Sequence, residues 1–138
     1  MADLILDSSV TLAWFLPDER GAGADVLLDR VTSAGAIAPT LWPIEVGNAF
    51  LVAQRHGRVS HAERTQAFGL LASLPIDIDP ATGAHAWAAS LSLAEQHGLT
   101  LYDAVYLELA IRKNLPLASL DRQLQRAATA AGVAVLGG

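Results

Sequence analysis

The sequence has no cysteine. That excludes disulfides, thiolate metal sites and a cysteine nucleophile, and it fits a cytoplasmic setting. Histidine is sparse: His56, His61, His85 and His97 show no metal-ligand spacing, so a histidine-ligated zinc centre is not expected. Charge is thin, at 17% of residues against 52% hydrophobic, which suits a sheet covered on both faces. The net charge of −5 argues against a general nucleic-acid-coating protein, which normally carries a basic face. It does not bar chemistry on a phosphodiester, because a divalent cation held by acids reverses the local field. Pro, Gly or a charge cuts every hydrophobic run short of membrane-spanning length, so no membrane association is expected. Met-Ala-Asp leads into an apolar run without a basic segment, so no signal peptide is expected.

What is present is alternation. Leu4-Ile5-Leu6 reads as a short buried strand stopping at Asp7, and residues 9–16 as a helix ended by Pro17. Residues 21–32 form an amphipathic segment, and Ala36-Ile37-Ala38 is a second strand closed by Pro39. A long helix is expected over 43–56, with Pro43 near its first turn and Gly57 past its end. Ser60-His61-Ala62-Glu63 has capping-box spacing and opens a helix to Ser73. Ile76-Asp77-Ile78 is a third strand, and Asp79-Pro80 has the chemistry to start a helix that reaches Gln96 and ends at Gly98. Thr100 caps a helix to Lys113, and Leu117-Ala118-Ser119 is a fourth strand. Asp121 opens the last helix, Gly132 closes it, and residues 133–136 form the last strand. This alternation means an α/β fold with a mostly parallel sheet. With no linker or repeat, residues 1–138 are expected to form a single domain.

Most of the fourteen acids need no special account. Asp18, Glu19, Asp25, Asp29, Glu63 and Glu95 lie in polar stretches and read as solvated surface; Asp79 reads as a helix cap. Four others sit where a lone charge is costly. Asp7 ends the first strand, a favoured place for chemistry in parallel sheets, although it could equally cap the helix that follows. Glu45 is surrounded by apolar residues, with Asn48 three residues on along the same helical face. Its bland reading is a first-turn acid favoured by the helix dipole. Asp103 lies in a helix apolar nearly all round, where Thr100 and Asp103 also have capping-box spacing. Asp121 follows the fourth strand and has its own reading as a cap, with the Ser119 hydroxyl two residues earlier. Glu108 points to a different face and pairs with Arg112 one turn on.

Each acid of the four lies at a strand end or in the first turn of an apolar helix, positions that converge on one edge of the sheet. Four carboxylates share a pocket only if cations neutralise them. Oxygen ligands without histidine or cysteine suit Mg²⁺ or Mn²⁺.

The ordered set Leu-Ile-Leu-Asp7-Ser-Ser9, Pro-Ile-Glu45-Val-Gly-Asn48, Leu-Tyr-Asp103-Ala-Val-Tyr-Leu and Ala-Ser119-Leu-Asp121-Arg resembles the PIN-domain family, specifically its VapC-type ribonuclease toxins. The resemblance runs over essentially the whole chain. It implies a three-layer α/β/α sandwich with a short, mostly parallel central sheet, a Mg²⁺ or Mn²⁺ site, and cleavage of RNA by metal-activated water. It also implies a homodimer and a cognate antitoxin. On this reading Asp7, Glu45, Asp103 and Asp121 hold the cation directly or through water. Ser9 contacts the metal-bound water or the phosphate, and Asn48 supports from behind. Ser119 keeps a hydroxyl where the family often has threonine. Arg122, next to Asp121, is the candidate phosphate contact. Trp14, Phe15 and Trp42 read as core or interface.

Rival readings are weaker on the residues. A haloacid-dehalogenase-like enzyme wants a second aspartate where this chain has Ser9, and a receiver domain wants a lysine at a late strand end. The sole lysine, Lys113, is in a helix. A non-catalytic PIN-like interaction module is the stronger rival, and retention of all four acids speaks against it. A groove between the helices at 43–56 and 60–73 is expected to accept an antitoxin helix, with an antitoxin arginine suited to the acidic pocket.

Overall fold

The computed structural model describes residues 2–16 and 23–137. The expected stop at Pro17, the acids Asp18 and Glu19, and the start of the segment expected from residue 21 lie outside them. Five short strands form the sheet: β1 (Ile5–Leu6), β2 (Ala36–Pro39), β3 (Ile76–Asp79), β4 (Leu117–Ala118) and β5 (Val135–Leu136). Their order is β3-β2-β1-β4-β5, and every pairing is parallel. Residues 4–6 are fully buried, as are Leu117 and Ala118. Strands covered on both faces run continuously apolar instead of alternating, which is why so few residues suffice to mark them.

Eight helices are seen among the described residues: α1 (Ser8–Phe15), α2 (Ala24–Ala34), α3 (Leu41–Arg55), α4 (His61–Ser73), α5 (Thr82–Ala86), α6 (Ala89–His97), α7 (Leu101–Lys113) and α8 (Arg122–Ala130). From β1 the chain steps to β2 and then β3 in one direction. It returns to β4 and β5 in the other. Right-handed crossovers therefore place α1 to α4 on one face and α5 to α8 on the opposite face, giving the three-layer α/β/α sandwich. α7 packs across β1, β2 and β4, and α1 packs against α2 and α3.

Local signals do much of the work. Ser60 and Glu63 make both bonds of the capping box that starts α4. Gly98, at φ 66°, supplies the left-handed residue that ends α6, a conformation a side chain resists. Trp14 and Trp42 are core residues whose indole N–H groups donate to the Ala24 carbonyl (2.9 Å) and the Thr11 hydroxyl (3.0 Å). Phe15 stands edge-on to Phe50 in the same core.

One stretch departs from expectation. Asp79 does not cap a helix starting at Pro80. It is the last residue of β3, buried, and Arg112 clamps it through two guanidinium nitrogens at 2.8 and 3.2 Å. The same guanidinium holds buried Glu108 at 2.8 and 3.1 Å, as the spacing of those residues predicts. A buried carboxylate without a cation costs more than an absent helix cap, so the tertiary pair overrides the local signal. The expected helix to Gln96 begins only at Thr82 and is broken at Ala88 (φ −118°, ψ −103°) into α5 and α6. No glycine or proline marks that break.

Candidate active site

The crossovers leave in opposite directions on either side of the β1–β4 pair, which makes the crevice beyond their carboxyl ends a topological switch point. Open parallel sheets bind ligands in such crevices, because neighbouring connections diverge there. Asp7 is the first residue past β1, its N–H donating to the Ala118 carbonyl at 3.0 Å. Ser119 and Asp121 follow β4 directly. Glu45 stands in the early turns of α3, after β2, and Asp103 in the first turn of α7, the helix that leads into β4.

Asp7 is 4% exposed. It occupies the position before α1 but its side chain does not cap that helix. Instead, Oδ2 accepts hydrogen bonds from the hydroxyls of Ser9 (2.6 Å) and Ser119 (2.8 Å). Those hydroxyl oxygens accept in turn from the backbone N–H groups of Leu120 (2.9 Å) and Asp121 (3.1 Å), which orients both hydroxyls toward the carboxylate. Burial pushes the Asp7 pKa up to about 6. The two hydroxyl bonds oppose the rise, and the Glu45 and Asp121 charges add to it.

Glu45 Oε1 accepts from the Tyr106 hydroxyl at 2.6 Å and from the Ser8 hydroxyl at 3.3 Å. Its pKa is raised by burial first, with the Asp103 charge adding. Asp103 is pushed up to about 6 by burial, then by the charges of Asp121 and Asp7. Half of the capping-box reading at Asp103 is realised: the Thr100 hydroxyl accepts the Asp103 N–H at 3.1 Å, and a hydrogen bond from the same hydroxyl to the carboxylate opposes the rise in its pKa. At Asp121 both readings hold, since Oδ1 caps α8 by accepting from Leu124 N–H at 2.9 Å while its charge acts on Asp7 and Asp103.

Asp7, Glu45 and Asp121 thus each have one oxygen engaged and one accepting nothing from the described residues, and the Asp103 carboxylate is held only by the Thr100 hydroxyl. Among the described residues, no arginine or lysine is ion-paired with any of the four. An oxygen-only, mutually repelling donor set fits a hard divalent cation and little else. The set is gathered without being closed: among the described residues no three acids stand together at joint ligating distance.

Among the other predicted residues, Ser119 lies in the cluster, fully buried. Ser9 is there too, its hydroxyl given to Asp7. Asn48 is exposed and makes no hydrogen bond to Glu45. Arg122 is exposed at the start of α8, beside Asp121. Sequence reasoning missed Tyr106 and Ser8. The available signal was a tyrosine in a helix apolar all round, since a buried phenol must find a hydrogen-bond partner.

The chain matches the PIN domain family over residues 4–130. It is 30% identical over 125 residues to Ribonuclease VapC3 from Pyrobaculum aerophilum, covering 88% of this chain and 91% of that protein. The crystal structure of PAE2754 from Pyrobaculum aerophilum is similar with a TM-score of 0.70 at 23% identity, over 97% of this chain and 89% of that one. FitAcB from Neisseria gonorrhoeae gives a TM-score of 0.64 at 18% identity, over 97% and 96% of the two chains. At those identities the two structures speak for the fold.

Proposed function

The chain belongs to the PIN-domain family, and from that premise we propose that it is a divalent-metal-dependent endoribonuclease toxin of the VapC type, restrained by a cognate antitoxin. The observation that carries the reading is the convergence of Asp7, Glu45, Asp103 and Asp121, from four separate elements, on one switch-point crevice with no arginine or lysine paired to them among the described residues. The relative named as a ribonuclease supports the substrate class.

The oxygens left free on the four carboxylates would hold Mg²⁺ or Mn²⁺, directly or through water. Bound there, the ion supplies Lewis acidity: it lowers the pKa of a water and neutralises charge on the phosphate. The protein's own part is orientation. Ser9 and Ser119 fix Asp7 through Oδ2, Asp121 is fixed by its cap to Leu124 N–H, and Glu45 is fixed through Oε1. Arg122 stands beside Asp121 to contact a phosphate of the RNA.

The antitoxin part of the reading has a surface to act on. A groove of about 370 Å³ lies between α3, α4 and β3, lined by Trp42, Val46, Phe68, Leu71 and Ile78 among others. Trp42 is three residues from Glu45, so a helix seated there would reach the acidic crevice with a basic side chain. A homodimer belongs to the same reading. No helix among the described residues is long and apolar enough to cross a membrane.

The test is cleavage of a mixed RNA pool by purified, antitoxin-free protein with Mg²⁺, Mn²⁺ or EDTA, beside Asp7→Asn. Metal-dependent cutting lost in the variant is expected. Folded protein that cuts under no metal would turn the assignment to a non-catalytic interaction module.

A further inference from the structure

Tyr106 is the largest fully buried side chain among the described residues, and its hydroxyl is the one polar atom on it. That hydroxyl donates to Glu45 Oε1 at 2.6 Å, across 61 positions of chain. Ser8, at the first residue of α1, donates to the same oxygen at 3.3 Å. Two donors on one oxygen leave Oε2 as the only part of the carboxylate open to another partner. The pattern repeats that of Asp7, where two hydroxyls hold Oδ2 and leave Oδ1 open.

The placement of the tyrosine is equally specific. α7 lies on one face of the sheet and α3 on the other, so this bond joins the two helical layers at the carboxyl edge. Tyr106 is three residues past Asp103, on the same side of α7. One helix therefore supplies both a carboxylate of the cluster and the brace for a second carboxylate carried by the opposite layer.

We infer that Tyr106 is a positioning residue for Glu45: with Ser8 it fixes the carboxylate through Oε1 so that Oε2 is presented to the divalent cation. The inference rests on the metal-site reading above. A tyrosine that merely fills the core and donates to the nearest acceptor would leave metal affinity unchanged when its hydroxyl is removed, because phenylalanine keeps the ring.

The measurement is Mn²⁺ affinity of the full chain by titration calorimetry, for the wild type, Tyr106→Phe, Glu45→Gln and the double variant, with circular dichroism as the check on folding. Tyr106→Phe is expected to weaken Mn²⁺ binding ~10–100-fold, the range for residues that orient a ligand from behind. Glu45→Gln should lose at least as much, and the double variant no more than Glu45→Gln alone, since the hydroxyl acts through that carboxylate. Ser8→Ala should show a smaller loss in the same direction, and it carries the test if Tyr106→Phe does not fold. Wild-type affinity in a folded Tyr106→Phe, or losses that add in full, overturns the inference. So does wild-type affinity in Ser8→Ala when Tyr106→Phe is unfolded. Each of those results leaves the metal site standing. A wild-type chain that binds no Mn²⁺ overturns the metal-site reading, and the inference falls with it.

Discussion

Ser119 donates its hydroxyl to Asp7 Oδ2 over 2.8 Å, joining residues 112 positions apart at the adjacent ends of β4 and β1. The same hydroxyl oxygen accepts the Asp121 N–H, and Ser9 makes the matching pair of bonds to Asp7 and to Leu120 N–H. The loop after β4 is thereby stitched to the first buried acid of the chain. Asp7 and Asp121 reach the crevice as one unit.

Removing that stitch should have a defined effect. Ser119→Ala takes a hydrogen bond from a buried carboxylate and leaves the Asp121 N–H without its acceptor, a loss of roughly 1–3 kcal/mol. Because the hydroxyl bond lowers the Asp7 pKa, its removal raises that pKa further above about 6. Thermal melts should drop, and the acid limb of metal-dependent cleavage should move to higher pH, with Ser119→Thr close to wild type. An unmoved acid limb in a folded Ser119→Ala would contradict the assignment.

Metal removal exposes the same acids to titration. Asp7 and Asp103 both rise from 3.8 to about 6, so the folded state binds their protons more tightly than the unfolded chain does. Without metal, stability is therefore lost as pH climbs from about 4 to about 6 and stays low above that. For Asp7 the rise corresponds to on the order of 2–3 kcal/mol. Asp79 runs the other way: the hydrogen bonds from Arg112 hold its pKa down, and its contribution is lost in acid as that lowered pKa is crossed. In EDTA the protein should melt highest near about pH 4–5 and decline toward neutral pH. Asp7→Asn should flatten that decline, and saturating Mn²⁺ should offset it. A decline equally steep in Asp7→Asn would contradict the role of burial at that residue.

Arg112 makes a stability prediction that does not touch the crevice. Its guanidinium neutralises Asp79 on β3 and Glu108 on its own helix, both nearly removed from solvent. Arg112→Met keeps the aliphatic stem and strands two buried carboxylates, which should cost about 3–5 kcal/mol. The loss should grow from acid to neutral pH as the stranded Asp79, whose pKa Arg112 holds down, ionises. Denaturant unfolding at two pH values measures it, and a loss independent of pH would mean packing, not charge, is what Arg112 supplies.

Much of the fold was legible in the chain because its signals are local. The apolar runs at β1 and β4, the capping box at Ser60, and the stops at Gly57 and Gly98 each depend on neighbours within a few residues. The four acids were legible for a related reason: a carboxylate in an apolar setting is anomalous wherever the chain goes next. Asp79 misled because its neighbour Pro80 imitates a helix start, while the arginine that claims it lies 33 positions away. Tyr106 stayed hidden for the same reason, its partner being 61 positions distant.

The sequence by itself determined the α/β class, the order of the elements and which acids are out of place, since periodicity, capping and desolvation act on short stretches of chain. Tertiary structure alone decided which oxygen of Asp7 and of Glu45 is held and which is left open. Those bonds run from Ser119 to Asp7 and from Tyr106 to Glu45, between elements that only the parallel sheet and its crossovers bring together. Hydrogen bonds act over about 3 Å and take no account of distance along the chain.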